Sequence, residues 1–150
     1  VIDAPHRAAI VTTAGAGTML VGTFLPWLRS GARNRSSYTI FDLVERLGFA
    51  PGGVIAWSLR LWPLVPLLIV VTATCAWAVV THHVRWGVCA AATVTLVVWV
   101  GGTATAVFLA PDVALFRIGV GPTVTLVGAV AAAAGVAMLR RRGSGPSAAV

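Results

Sequence analysis

Residues 62–81 run WPLVPLLIVVTATCAWAVVT, a stretch with no charged side chain. A bilayer core of ~30 Å takes about 20 helical residues at ~1.5 Å each, so this segment has the length and apolarity of a membrane span. Working outward, three further runs have the same character. Ala8 to about Trp27 follows Asp3, His6 and Arg7. Gly87 to Leu109 lies between Arg85 and Pro111-Asp112, and Gly119 to Leu139 stops against Arg140, Arg141 and Arg142. The expected fold is an all-α membrane protein: one integral membrane domain over 1–150, built as a four-transmembrane-helix bundle. Its spans are expected at about 8–27, 62–81, 87–109 and 119–139, with a long, partly helical first extracytoplasmic loop at 28–61 and a cytoplasmic tail at 140–150.

Composition supports the membrane reading. Of the 150 residues 58% are hydrophobic and 10% charged, where a soluble domain carries roughly 25% charged residues; the mean hydropathy is +0.92. Two Cys are too few for a disulfide scaffold, and the apolar content excludes disorder. A net charge of +7 would make nucleic acid the first partner of a soluble chain. Here the arginines sit between apolar runs, so membrane lipids and a neighbouring membrane protein are the expected partners, and nucleic acid is not. The first run is too long for the h-region of a signal peptide, and Trp27-Leu28-Arg29 is a poor cleavage site, so it is read as a retained helix.

Four spans place both termini on one side. With the termini in the cytoplasm, Arg7, Arg85, Arg140, Arg141 and Arg142 fall in short segments at helix ends, where the positive-inside rule is strongest. Arg29, Arg33, Arg35, Arg46, Arg60 and Arg117 lie outside, most of them spread through the long loop. A multi-pass plasma-membrane protein with cytoplasmic termini is the expectation.

The long loop is expected to be folded. Thr39 and Asp42 stand at N-cap and N3 spacing, Gly48 is a natural stop, and Ile40, Val44 and Leu47 share a helical face flanked by Phe41 and Leu43. Before it, Arg29, Arg33 and Arg35 with Tyr38 offer guanidinium forks to carboxylates or phosphates. Arg29, Arg33, Arg35, Tyr38, Ile40, Phe41, Val44 and Leu47 are therefore the expected partner or lipid contacts. Helix packing in lipid needs small residues, and Gly17, Gly22, Gly102, Gly128 and Gly135 are the candidates. Trp27, Trp57, Trp62 and Trp86 fall near span ends and are read as interfacial anchors.

No catalytic, cofactor or metal site is expected. Every Asp, Glu, Arg and His falls at or beyond a span end, whereas transport and membrane catalysis usually place an ionisable group inside one. His82 and His83 are adjacent and so point apart on a helix. The span threonines can bond the preceding turn of their own helices.

This layout resembles the small four-span membrane proteins of actinobacteria found as accessory subunits of mycobacterial envelope complexes for lipid import or respiration. The likeness is carried by the Trp27–Tyr38 segment, the amphipathic stretch to Gly48 and the Arg-ended last span. It implies a non-catalytic accessory or assembly subunit of a larger integral membrane complex. A small homo-oligomeric transporter or lipid-binding membrane protein is the alternative.

Overall fold

The computed structural model describes residues 3–30, 33–46, 60–81, 83–109 and 117–143. They are mostly helical. Helix α1 spans Ala4–Phe24, strands β1 and β2 span Pro26–Ser30 and Arg33–Ser36, and α2 spans Ser37–Arg46. A 3-10 turn at Trp62–Leu64 leads into α3, Val65–Val80. Helices α4, Trp86–Leu96, and α5, Gly102–Leu109, form one rod joined by a π turn at Val97–Gly101. Strand β3, Arg117–Ile118, precedes α6, Gly121–Gly143.

Three helical segments among the described residues are long and apolar enough to cross a membrane: Trp62–Val80, Trp86–Leu109 and Gly121–Arg140. Helix α1 has 21 residues and is long enough. It misses on hydropathy because it is rich in Gly, Ala and Thr and carries His6 and Arg7. The same small residues make it the most closely packed helix. Its buried positions Ala8, Thr12, Gly15, Met19 and Gly22 alternate spacings of four and three, and so do Gly121, Thr125, Gly128, Ala132, Gly135 and Leu139 of α6. Such a period of ~3.5 keeps one seam facing a partner helix.

The two seams run antiparallel. A Cβ on Gly22 would lie 2.7 Å from the Thr125 backbone nitrogen, one on Gly15 would lie 2.8 Å from the Gly128 carbonyl oxygen, and one on Gly135 would lie 2.6 Å from the Thr12 nitrogen. Met19 fills the space over Gly128. Gly17 and Gly102 correct the expected packing set: a Cβ on either meets nothing within 4 Å, because each points away from the neighbouring helices. Gly15 takes the central place instead.

Helix α3 packs along α1, and the α4–α5 rod packs along both α3 and α6. The Trp77 indole reaches from α3 to the Thr13 hydroxyl of α1 at 3.1 Å. Neighbouring helices run antiparallel, so the start of α1 and the end of α6 lie at the same end of the bundle as Trp86.

The long polar segment departs from the all-α expectation. Strands β1 and β2 form an antiparallel hairpin with a bulge at Trp27, and β3 pairs with the other edge of β1, giving the order β2-β1-β3. The first helix accordingly ends at Phe24, before Trp27. Helix α2 begins at Ser37, two residues ahead of the expected Thr39 cap, and Ser36 shares a 3.2 Å hydrogen bond with Thr39.

The glycine geometry separates two matched substitutions. Gly15→Ala should lower stability by about 1–3 kcal/mol, because the added methyl group meets the α6 backbone. Gly17→Ala should be neutral or gain up to ~1 kcal/mol of helix propensity. Unfolding by titration of SDS into mild detergent, followed by circular dichroism, measures both; equal responses would remove the seam from its central role.

Candidate functional site

The sheet, α2 and the ends of the helices form a cap at the end of the bundle opposite the chain termini. Its anchor is the C-terminus of α1, where the last carbonyls lack partners in the helix. Val21 O accepts the Leu25 N–H at 3.1 Å. Gly22 O accepts the Trp27 indole N–H at 2.9 Å, and Thr23 O accepts the Ser37 hydroxyl at 2.7 Å. Ser37 Oγ in turn accepts the Trp62 indole N–H at 3.1 Å. Two tryptophans and one serine from three separate segments thus tie the cap to α1 and to the start of α3.

Aromatic rings fill the space around this chain of bonds. Phe41 of α2 meets Trp62 edge to face at 4.5 Å and Trp27 at 6.3 Å. Trp62 contacts Trp27 at 5.8 Å and Trp99, on the π turn, at 6.2 Å. Such edge-to-face pairs add stabilisation beyond the area they bury. Trp27 and Trp62 are each 1% exposed, so they are core residues and not interfacial anchors; Trp86, at 43% exposed, does stand at a helix end. Trp57 lies outside the described residues.

The expected contact residues divide into two groups. Tyr38, Ile40 and Phe41 are turned onto the bundle's own core, with Tyr38 stacked on Phe24 at 5.0 Å. That corrects their assignment to a partner surface, since these three half-buried side chains pack against this chain's own core. Val44 lies on α2, but its side chain, like Leu47, falls outside the described residues. The arginines behave differently. Strand pairing sets Arg29 directly opposite Asn34 on one side and Arg117 on the other, and directly opposed residues project from the same face. All three are exposed. Arg35 pairs with Leu28 on the other face and is half-buried. Arg33 pairs with Ser30, and its side chain is outside the described residues.

Like charges directly opposite across a sheet repel. Arg29 and Arg117 nevertheless have no carboxylate partner among the described residues; Asp42 is engaged by Arg46 in an exposed contact at 3.0 Å. The result is a cationic face on a rigid support. Arg117 was not among the expected contacts, because it is 88 positions from Arg29 in sequence and only the β1–β3 pairing joins them. The alternation of strands around Trp27 was the available signal, but it is short and interrupted by the bulge.

Among the described residues no three His, Cys, Asp or Glu side chains gather as a metal site. His82 is outside them, and His83 Nδ1 stays within 2.9 Å of the Thr81 carbonyl oxygen of its own turn. Buried Thr12, Thr72, Thr93 and Thr125 each donate to the carbonyl four residues earlier. Comparison with protein-family models, curated proteins and solved structures found no match to this chain.

Phe41→Asp should detach the cap while leaving the helices folded, since it puts a carboxylate against the two indoles of Trp27 and Trp62 at a cost of several kcal/mol. Trypsin should then cut at Arg35 and Arg46 faster than in the parent chain, with helical content retained. Ser37→Ala should act in the same direction more weakly, by about 1–3 kcal/mol. Unchanged cleavage rates in both variants would show that the aromatic cluster does not hold the cap.

Proposed function

We propose that this chain is a non-catalytic accessory or assembly subunit of a larger membrane protein complex, and that the cap supplies its docking surface. The observation that carries this reading is the outward pair of Arg29 and Arg117, held on a sheet anchored to α1 and without a carboxylate partner among the described residues. A partner's carboxylates would complete it, with Asn34 beside Arg29 on β2 as a further donor and acceptor. Exposed apolar side chains along the helices, such as Leu67, Val70 and Val127, leave room for contact within the membrane as well.

In this reading the bundle has four spans, with α1 held in place by its seam with α6. The protein is multi-pass in the plasma membrane with both termini cytoplasmic, and the cap lies outside. The likeness to accessory subunits of mycobacterial envelope complexes agrees with it. A homo-oligomeric transporter is the weaker reading, because the buried threonine hydroxyls Thr12, Thr72, Thr93 and Thr125 are already bonded to their own backbones, and a transport path usually needs an ionisable group.

Two measurements test the proposal. Replacing Arg29 and Arg117 together by Ala should lower co-purification with stoichiometric partners about 2- to 30-fold at low salt, as two exposed ion pairs of ~0.2–1 kcal/mol each imply, with less difference at high salt. Equal yields would place the interface elsewhere. For orientation, Asn34→Cys should react with a membrane-impermeant maleimide in intact cells, whereas His83→Cys should react only after permeabilisation, each read against the parent chain. The opposite pattern would invert the topology.

A further inference from the structure

On a different face from the cap, α4 and α6 leave a groove of about 360 Å³ between them, within the ~300–1,000 Å³ usual for ligand clefts. Its walls are apolar: Val94 and Val98 on one side, Ala133 and Ala137 on the other. Thr93 also lines it, but its hydroxyl is spent on the Cys89 carbonyl at 2.8 Å. Polarity is confined to one end, where the Arg140 guanidinium lies 6.0 Å from the ring centre of Trp86. Arg140 is exposed and has no carboxylate partner among the described residues. Arg85, also exposed, precedes the first turn of α4 at that same end, and the free N–H groups of that turn favour an anion.

The dimensions select the occupant. From Trp86 to Val98 the groove follows the rod for about 18 Å at ~1.5 Å per residue, over half the depth of a ~30 Å hydrocarbon core. The α6 wall, Ala133 to Arg140, borders it for about 10 Å at ~1.5 Å per residue, and a narrow apolar groove with a cation at one end matches a single acyl chain joined to an anionic headgroup. We propose that this groove is a binding site for an anionic phospholipid, one acyl chain lying between α4 and α6 and the phosphate held at Arg140 beside Trp86. The long apolar wall takes the chain, and the Arg140 cation at its mouth distinguishes anionic from zwitterionic headgroups. This site does not rest on the accessory-subunit reading.

Trp86 reports on it directly. The full chain is reconstituted in phosphatidylcholine vesicles doped with lipid brominated on its acyl chains, either phosphatidylglycerol or phosphatidylcholine. The Trp86 share of the fluorescence is obtained by difference from Trp86→Phe. Brominated phosphatidylglycerol should associate about fivefold more strongly than brominated phosphatidylcholine, the ratio that ~1 kcal/mol per interfacial Arg implies. Arg140→Gln should remove most of that preference. Ala137→Leu, which fills the groove from the face of α6 opposite its seam, should lower quenching by both lipids, with circular dichroism verifying the fold. Equal quenching of the parent chain by the two lipids, or a preference unaltered by Arg140→Gln, would overturn the proposal. So would disulfide cross-linking of two Val94→Cys chains across the groove, which would make its occupant a second copy.

Discussion

The close approach of α1 and α6 is the constraint on which the remaining structure depends. In a bilayer, lipid tails are as apolar as the helix surface, so helices gain by associating only where they pack better against each other than against lipid. Glycine and alanine at Gly15, Gly22, Gly128, Ala132 and Gly135 let the two backbones meet, and Thr12, Met19 and Thr125 fit into the spaces those glycines leave. This accounts for an inversion in the molecule. The helix with too little hydropathy to count among the three evident spans is one of the two that make this close contact, since it has exchanged apolar side chains for backbone contact.

That contact fixes the register of the two helices, and the register builds the cap. Because the end of α1 meets the start of α6, Trp27 packs over Gly121 and its carbonyl accepts the Gly119 N–H at 2.8 Å. Pairing of β3 with β1 follows from this juxtaposition. The unsatisfied carbonyls at the end of α1 then receive the indole of Trp27 and the hydroxyl of Ser37, and Trp62 extends the same network to α3. The indoles of Trp27 and Trp62 and the Ser37 hydroxyl each find a partner, whereas the Tyr38 hydroxyl and the Trp99 indole N–H beside them are buried without one among the described residues; the bonded groups tie the cap down as a support for the arginines on its outer face.

Away from the seam and the cap, the helices spend their polar groups locally. The buried threonines bond to their own preceding turns, leaving the outer surface to lipid-facing valines and leucines. Polarity therefore concentrates at the two ends of the bundle. One end carries Arg29, Arg35 and Arg117 on the sheet, and the other carries Arg85 and Arg140 around the groove.

By itself the sequence determined the membrane character, the approximate extents of the apolar runs and the presence of a folded segment between the first two, because hydropathy and helical period are properties of neighbouring residues. The 4-3 spacing of small residues in α1 and α6 was also legible, although residue type alone could not separate Gly15, which faces α6, from Gly17, which faces no neighbour. Only the tertiary structure decided that Trp27 and Trp62 are core residues. A tryptophan near a span end suits the bilayer interface equally well until Ser37 and the end of α1 supply hydrogen-bond partners for the indoles. The union of Arg29 with Arg117 and the meeting of Trp86 with Arg140 belong to the same category. Each joins residues more than fifty positions apart, and their proximity depends on helix register and strand pairing, which no local pattern encodes.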